Sequence, residues 1–169
     1  MAEFDPRHIF DVLDRHGVRY VLIGGLAAIL HGASHLTTDV DVVPMEARDN
    51  LDRLSQALKE LHARIRVTGE PEGVPFDHSA ESLARVRTWN LQTDAGDLDI
   101  TFEPSGTHGY DDLRRDAVSL QLRSGSVTVA SLADVIRSKE AADRPRDRAA
   151  LPGLRAFLSA ERQRDDRSP

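Results

Sequence analysis

Apolar positions along the chain alternate between helical and strand-like spacing. From Asp5 to His16, Ile9, Phe10 and Leu13 fall on one side of a 3.6-residue repeat. This predicts a helix with Asp5 as N-cap, Pro6 in the first turn and Gly17 as its stop. Arg19 to Ile23 is a short apolar strand, Gly24-Gly25 a turn, and Leu26 to His31 a short helix closed by Gly32. Thr38 to Val43 is a second strand. Met45 to Leu61 is an amphipathic helix with Leu51, Leu54, Leu58 and Leu61 on one face. Arg64 to Val67 is another strand, and the glycines and prolines of Thr68 to Glu81 predict a loop that is either a substrate lid or simply irregular.

The second half of the chain repeats the theme. Val86 to Gln92 and Asp97 to Phe102 are two strands joined at Asp94-Ala95-Gly96, and Ala117 to Leu122 with Ser126 to Ala130 form a hairpin around Ser124-Gly125. Ser131 caps a helix to Asp143, with Asp134 at its third position, close to a capping box. A last helix starts near Arg146, breaks at Pro152-Gly153 and resumes to about Ala160, leaving a frayed tail. The pattern predicts an α/β or α+β domain over residues 1–160, with a small mixed sheet flanked by helices and C-terminal helices, and a flexible tail over 161–169. Trp89, on a strand, is expected in the core.

Two strands depart from simple alternation of apolar and neutral positions. Side chains alternate across a strand, so Asp39 and Asp41 share one face while Val40 and Val42 take the other. Asp97 and Asp99 likewise share a face, opposite Leu98 and Ile100. Such strands can be edges whose acids meet water. Laid side by side they instead converge three or four carboxylates, which raise one another's pKa unless a cation joins them. An all-oxygen cluster with room for water suits Mg²⁺. Gly24-Gly25, between strand and helix, either turns backbone N–H groups toward a phosphate or permits close helix packing. It is neither a Walker loop nor a Rossmann fingerprint.

Composition narrows the partners. The 169 residues carry a net charge of −6, which argues against a general nucleic-acid coat protein. From Arg137 onward, however, nine basic residues face six acidic ones. Arg137, Lys139, Arg144, Arg146 and Arg148 form either a phosphate-backbone patch or a solvated face. Arginine outnumbers lysine twenty to two, so Lys139 stands out; it either pairs with Asp143 one turn on or serves a site. The absence of cysteine excludes disulfides and thiolate metal sites. MAEFDPRHIF has no apolar signal core and no stretch is long enough to span a membrane, so a cytoplasmic location is expected. His31 is expected to pack or cap, and His78 and His108 to lie on the surface. Ser34 and Ser79 lack a nucleophile context, and no histidine pair has zinc-site spacing.

Gly24-Gly25, then Asp39-x-Asp41 on a strand, then Leu98-Asp99-Ile100 resembles the nucleotidyltransferase superfamily with a DNA-polymerase-beta-like palm. GGLAAILHG through TTDVDVV, with SKEAADRPRD near the C-terminus, is similar to the AbiEii-type and MenT-type toxin nucleotidyltransferases. The resemblance spans roughly residues 18 to 155. It implies a nucleotidyltransferase-type fold and transfer of a nucleoside monophosphate from an NTP. It implies Mg²⁺ or Mn²⁺ on Asp39, Asp41 and Asp99, with Asp97 the alternative third acid. Gly24, Gly25, Thr37, Lys139 and Asp147 would bind the nucleotide, Asp147 orienting Lys139. It implies tRNA as acceptor, a toxin role and a cognate antitoxin partner. Aminoglycoside or protein side-chain acceptors, and a non-catalytic nucleotide-binding or antitoxin-like module, are the alternatives. The family often has arginine two residues before the threonine preceding Asp-x-Asp; here that position is His35.

Overall fold

Asp5 does cap the first helix: its carboxylate accepts the His8 N–H at 3.2 Å, and Pro6 opens α1 (Pro6–Arg15). Ile9, Phe10, Val12 and Leu13 on α1 are buried. In this computed structural model, which describes residues 3–34, 36–122 and 125–166, the chain continues through β1 (Tyr20–Ile23), α2 (Gly24–Leu30), β2 (Asp39–Pro44) and α3 (Arg48–Glu60). It then forms β3 (Arg64–Val67), β4 (Glu70–Val74), α4 (Ala80–Arg85), β5 (Thr88–Thr93) and β6 (Gly96–Thr101). α5 (Tyr110–Arg115), β7 (Val118–Leu122), β8 (Gly125–Val129), α6 (Leu132–Ala142) and α7 (Pro145–Asp165) complete it.

Among the described residues, eight strands join one mixed sheet in the order β4-β3-β5-β6-β2-β1-β8-β7, one strand (β4) more than the sequence pattern predicts. β2 runs parallel to β6 and β1 parallel to β8; the other pairs are antiparallel. Val40, Val42, Leu98 and Ile100 are buried in a core they share with the apolar stripes of α1 and α3. Each fully buried aliphatic side chain contributes about 1.5–3 kcal/mol. This anchoring holds β2 and β6 flat against each other and leaves their acidic faces to the side where α2, α6 and α7 pack in series. Trp89 is in the core, its ring stacked on Phe76 at 4.8 Å.

Two expectations about the elements fail, and one helix, α5, has no counterpart in the sequence pattern. Thr68 to Glu81 is not a loop: it contains the edge strand β4 and the start of α4. β4 reads EPEGV, with no apolar alternation to betray it. It tolerates Pro71 because it lies at the sheet edge. It needs Gly73, where φ is +62° and a Cβ would come 2.8 Å from the Ile65 carbonyl. The last helix does not break at Pro152-Gly153; α7 runs through them to Asp165. Pro152 costs the helix a hydrogen bond, but Leu151 and Leu154 are buried on either side and hold the backbone on course. α5 went unassigned because only Leu113 of its six residues is buried, too little for a periodic signal.

Candidate active site

The β2–β6 register sets Asp39 beside Asp97 and Asp41 beside Asp99. One carboxylate oxygen from each of Asp39, Asp41 and Asp99 lies within 4.8 Å of the other two. At such separations two unit charges repel by about 1 kcal/mol in water and by several at a protein-like dielectric. Burial pushes the Asp41 carboxyl up to about 7, with the Asp39 and Asp99 charges adding to the rise. Arg146 and the Gly25 N–H, which donates to Asp41, pull it partly back. Burial also pushes Asp99 up to about 6, against the pull of Arg66. Asp39 is held differently, by the Thr37 hydroxyl, which donates to its Oδ1 at 2.6 Å. A trio of oxygen ligands that repel one another in this way could hold a divalent cation.

Gly24 makes the arrangement possible. Its φ of +76° belongs to glycine, and a Cβ there would sit 2.1 Å from Asp41 Oδ2. The strand-to-helix turn therefore lets an acid lie directly on it. The expected glycine turn has become the first residues of α2, with its Gly25 N–H engaged by Asp41.

Opposite the acids stand α6 and α7. Lys139 does not pair with Asp143. Its Nζ donates to Asp147 Oδ1 at 3.1 Å, and Arg144 Nε donates to the other oxygen at 2.6 Å. Asp147 is fully buried, yet the two hydrogen-bonding cations outweigh that burial and hold its carboxyl below the usual range. Arg137 is tied to Asp112 and Asp134, and Arg148 to Asp143 at 3.0 Å. Of the basic group, Arg146 alone makes no ion pair among the described residues. The group is thus mostly an internal network rather than the open patch the sequence allowed.

A cavity of about 490 Å³ runs along the glycine turn. Its lining includes Gly24, Gly25, Thr37, Asp39, Asp41, Lys139 and Asp147, and it ends among Ala33, Leu36 and Phe157. A second cavity of about 330 Å³ opens on the Asp99 side between Thr88, Asn90, Thr101, Ser105 and Ser138. The two share Gly24, Asp41, Lys139, Arg144 and Arg146 as a common wall. Gly24, Gly25, Thr37, Asp39, Asp41, Lys139 and Asp147 thus line one cavity, and Asp99 adjoins it through the carboxylate trio. Asp97 does not join the trio; Arg66 binds both it and Asp99. Arg66 and Asn90 were missed. Arg66 is one of two arginines alternating in RIRV, a pattern that signals nothing until the order of the strands is known. His35 lies outside the described residues.

The remaining side chains have structural partners. His31 donates from Nε2 to the Ala130 carbonyl at 2.8 Å, packing α2 against the end of β8. Against expectation, His78 is half-buried: it reaches the Ala63 carbonyl at 2.8 Å and sits edge-on to Phe76. Ser79 caps α4, and His108 is exposed. Ser34 lines the larger cavity.

No protein-family model and no curated protein sequence matches the chain. Solved structures do. The lincosamide antibiotic adenylyltransferase LnuA, in its lincomycin-bound crystal structure, superposes with a TM-score of 0.60 at 15% identity, over 92% of this chain and 99% of its own. The chain has a nucleotidyltransferase fold. A candidate nucleotidyltransferase from Thermotoga maritima agrees, with a TM-score of 0.53 at 15% identity over 94% of this chain and 97% of its own. Among the described residues, no helix is long and apolar enough to cross a membrane.

Proposed function

We propose that the chain transfers a nucleoside monophosphate from a nucleoside triphosphate to an acceptor hydroxyl, in the cytoplasm, with Mg²⁺ or Mn²⁺ held by Asp39, Asp41 and Asp99. The observation that carries this reading is the meeting of two cavities at one acid cluster in a nucleotidyltransferase fold. A divalent cation bound there supplies charge neutralisation for the transferring phosphorus and its oxygens.

The larger cavity takes the triphosphate. Gly24 and Gly25 let its phosphates approach the backbone, and Thr37 keeps Asp39 turned inward. Lys139 faces the β- and γ-phosphates, its ammonium fixed by buried Asp147; Arg146 reaches the same wall. The smaller cavity takes the acceptor, whose hydroxyl lies between Asp99 and the α-phosphorus. Asp99 accepts the hydroxyl proton, the new O–P bond forms, and the bond to the β-phosphate oxygen breaks to release pyrophosphate.

For the acceptor, the motif resemblance to AbiEii-type and MenT-type proteins supports tRNA, a toxin role and a cognate antitoxin partner. A small hydroxylated molecule is the second reading. Most of the basic group is spent on internal ion pairs, and the LnuA neighbour acts on a lincosamide antibiotic. Incubation with α-labelled NTPs and, separately, tRNA, protein, lincosamide and aminoglycoside decides between them. Label in tRNA alone is the expected outcome. Label only in a small molecule overturns the tRNA reading, and nucleotide binding with no pyrophosphate release overturns transfer itself.

A further inference from the structure

Arg66 occupies an unusual position for a residue on β3. The sheet order puts β5 between β3 and β6, so the side chain must cross about two strand spacings, roughly 9–10 Å, to touch an acid on β6. Continuing the register of Arg64 with Gln92 and Ile65 with Leu91, Arg66 falls beside Asn90, and Asn90 pairs with Asp99. The guanidinium then divides its two arms. Nη1 binds Asp97 Oδ2, and Nη2 donates to Asp99 Oδ1 at 2.8 Å. The Arg66 side chain is 33% exposed, Asp97 36% and Asp99 17%, so the fork spans from the rim of the site to its interior.

Asp97 and Asp99 share a face, and Asp97 stands beside Asp39 in the register just as Asp99 stands beside Asp41. By position alone either could complete the trio. Only Asp99 does, while Asp97, the more exposed of the two, is tied to the other arm of the fork. A planar, two-pronged guanidinium holds two carboxylates in a fixed geometry; an ammonium, whose three donors rotate about one point, can touch both but fixes their orientation less.

We propose that Arg66 is a positioning residue that selects Asp99 over Asp97 as the third carboxylate and fixes its orientation. The inference rests on the metal-dependent reading of the trio. Removing the fork has two opposed consequences. The cluster loses a positive charge and gains a mobile fourth carboxylate, so a divalent cation binds more tightly. Asp99 loses its fixed orientation, so transfer slows.

The test is calorimetric titration of Mn²⁺ alone, paired with pyrophosphate-release kinetics, on the intact chain and its variants. Arg66→Ala should bind Mn²⁺ about tenfold more tightly while kcat falls on the order of a hundredfold at an unchanged KM for NTP. Arg66→Lys should rescue neither property fully. In Arg66→Ala/Asp97→Asn, Mn²⁺ affinity should return toward that of the unmodified chain, because the freed carboxylate is gone. A merely structural role would instead weaken metal binding and lower the Tm together. Mn²⁺ affinity unchanged or weaker in Arg66→Ala, or full rescue by lysine, overturns the selection role alone. Failure of the unmodified chain to bind Mn²⁺ overturns the metal site, and this inference with it.

Discussion

The two charged walls of the site are built on opposite principles. On the α6–α7 side, buried Asp147 is met by Lys139 and Arg144 at hydrogen-bonding distance, and its carboxyl is held below the usual range. On the β2–β6 side, burial pushes Asp41 up to about 7 and Asp99 up to about 6, with the charges of Asp39 and Asp99 adding to the first and those of Asp39 and Asp97 to the second. Neither Asp39 nor Asp41 has an ion pair among the described residues. One wall is finished by the fold; the other is left electrostatically incomplete. Unmet negative charge, concentrated at a cavity wall, is what a site that recruits a divalent cation requires.

That contrast can be broken from either side. The largest effect is expected for Asp41→Ala, which removes the acid common to both cavities. Transfer should become undetectable in a pyrophosphate-release assay, while metal-free Tm stays level or rises because a repelling carboxylate is gone. Gly24→Ala should come next. The new Cβ collides with Asp41 at a backbone angle that disfavours side chains, so stability should drop by about 1–3 kcal/mol in chemical denaturation. Divalent-cation binding, read by titration, should weaken as well.

Asp147→Ala attacks the finished wall. Breaking a buried pair costs about 3–5 kcal/mol; with Arg144 half-exposed, about 2 kcal/mol is expected from urea unfolding. The freed Lys139 should raise KM for NTP more than it lowers kcat. The smallest effect is on pH dependence. Asp41 and Asp99 have folded-state values above their unfolded ones, so the folded protein binds their protons more tightly. Metal-free stability should be highest below about pH 4 for these groups and decline as pH rises through about 6 and 7. The rise in Tm on adding Mg²⁺ should therefore be larger at pH 8 than at pH 5. An equal rise at both would contradict the incomplete charge of this wall.

Legibility in the sequence followed the same division. The acid strands announce themselves, because Asp39-x-Asp41 and Asp97-x-Asp99 interrupt apolar strands at a period of two. Gly24-Gly25 is visible as a turn, although its use as a seat for Asp41 follows only from the 2.1 Å approach. Lys139 and Asp147 could be named as a pair from the motif resemblance; a helix repeat alone suggested Asp143 instead. Arg66 was not legible, since its contact crosses a strand that lies between β3 and β6 only in the folded sheet. β4 was hidden by its polarity, and the continuity of α7 by Pro152, whose disruption is overridden by the burial of Leu151 and Leu154. Local pattern reveals chemistry carried within one segment. It does not reveal which distant segments the sheet order brings together.

The most direct test is anomalous diffraction from crystals soaked with Mn²⁺ and a non-hydrolysable nucleoside triphosphate. An anomalous peak coordinated by Asp39, Asp41 and Asp99, with the phosphates running along Gly24-Gly25 toward Lys139, is the predicted result. Triphosphate density elsewhere, or Mn²⁺ absent from these three carboxylates at saturating concentration, would contradict the account.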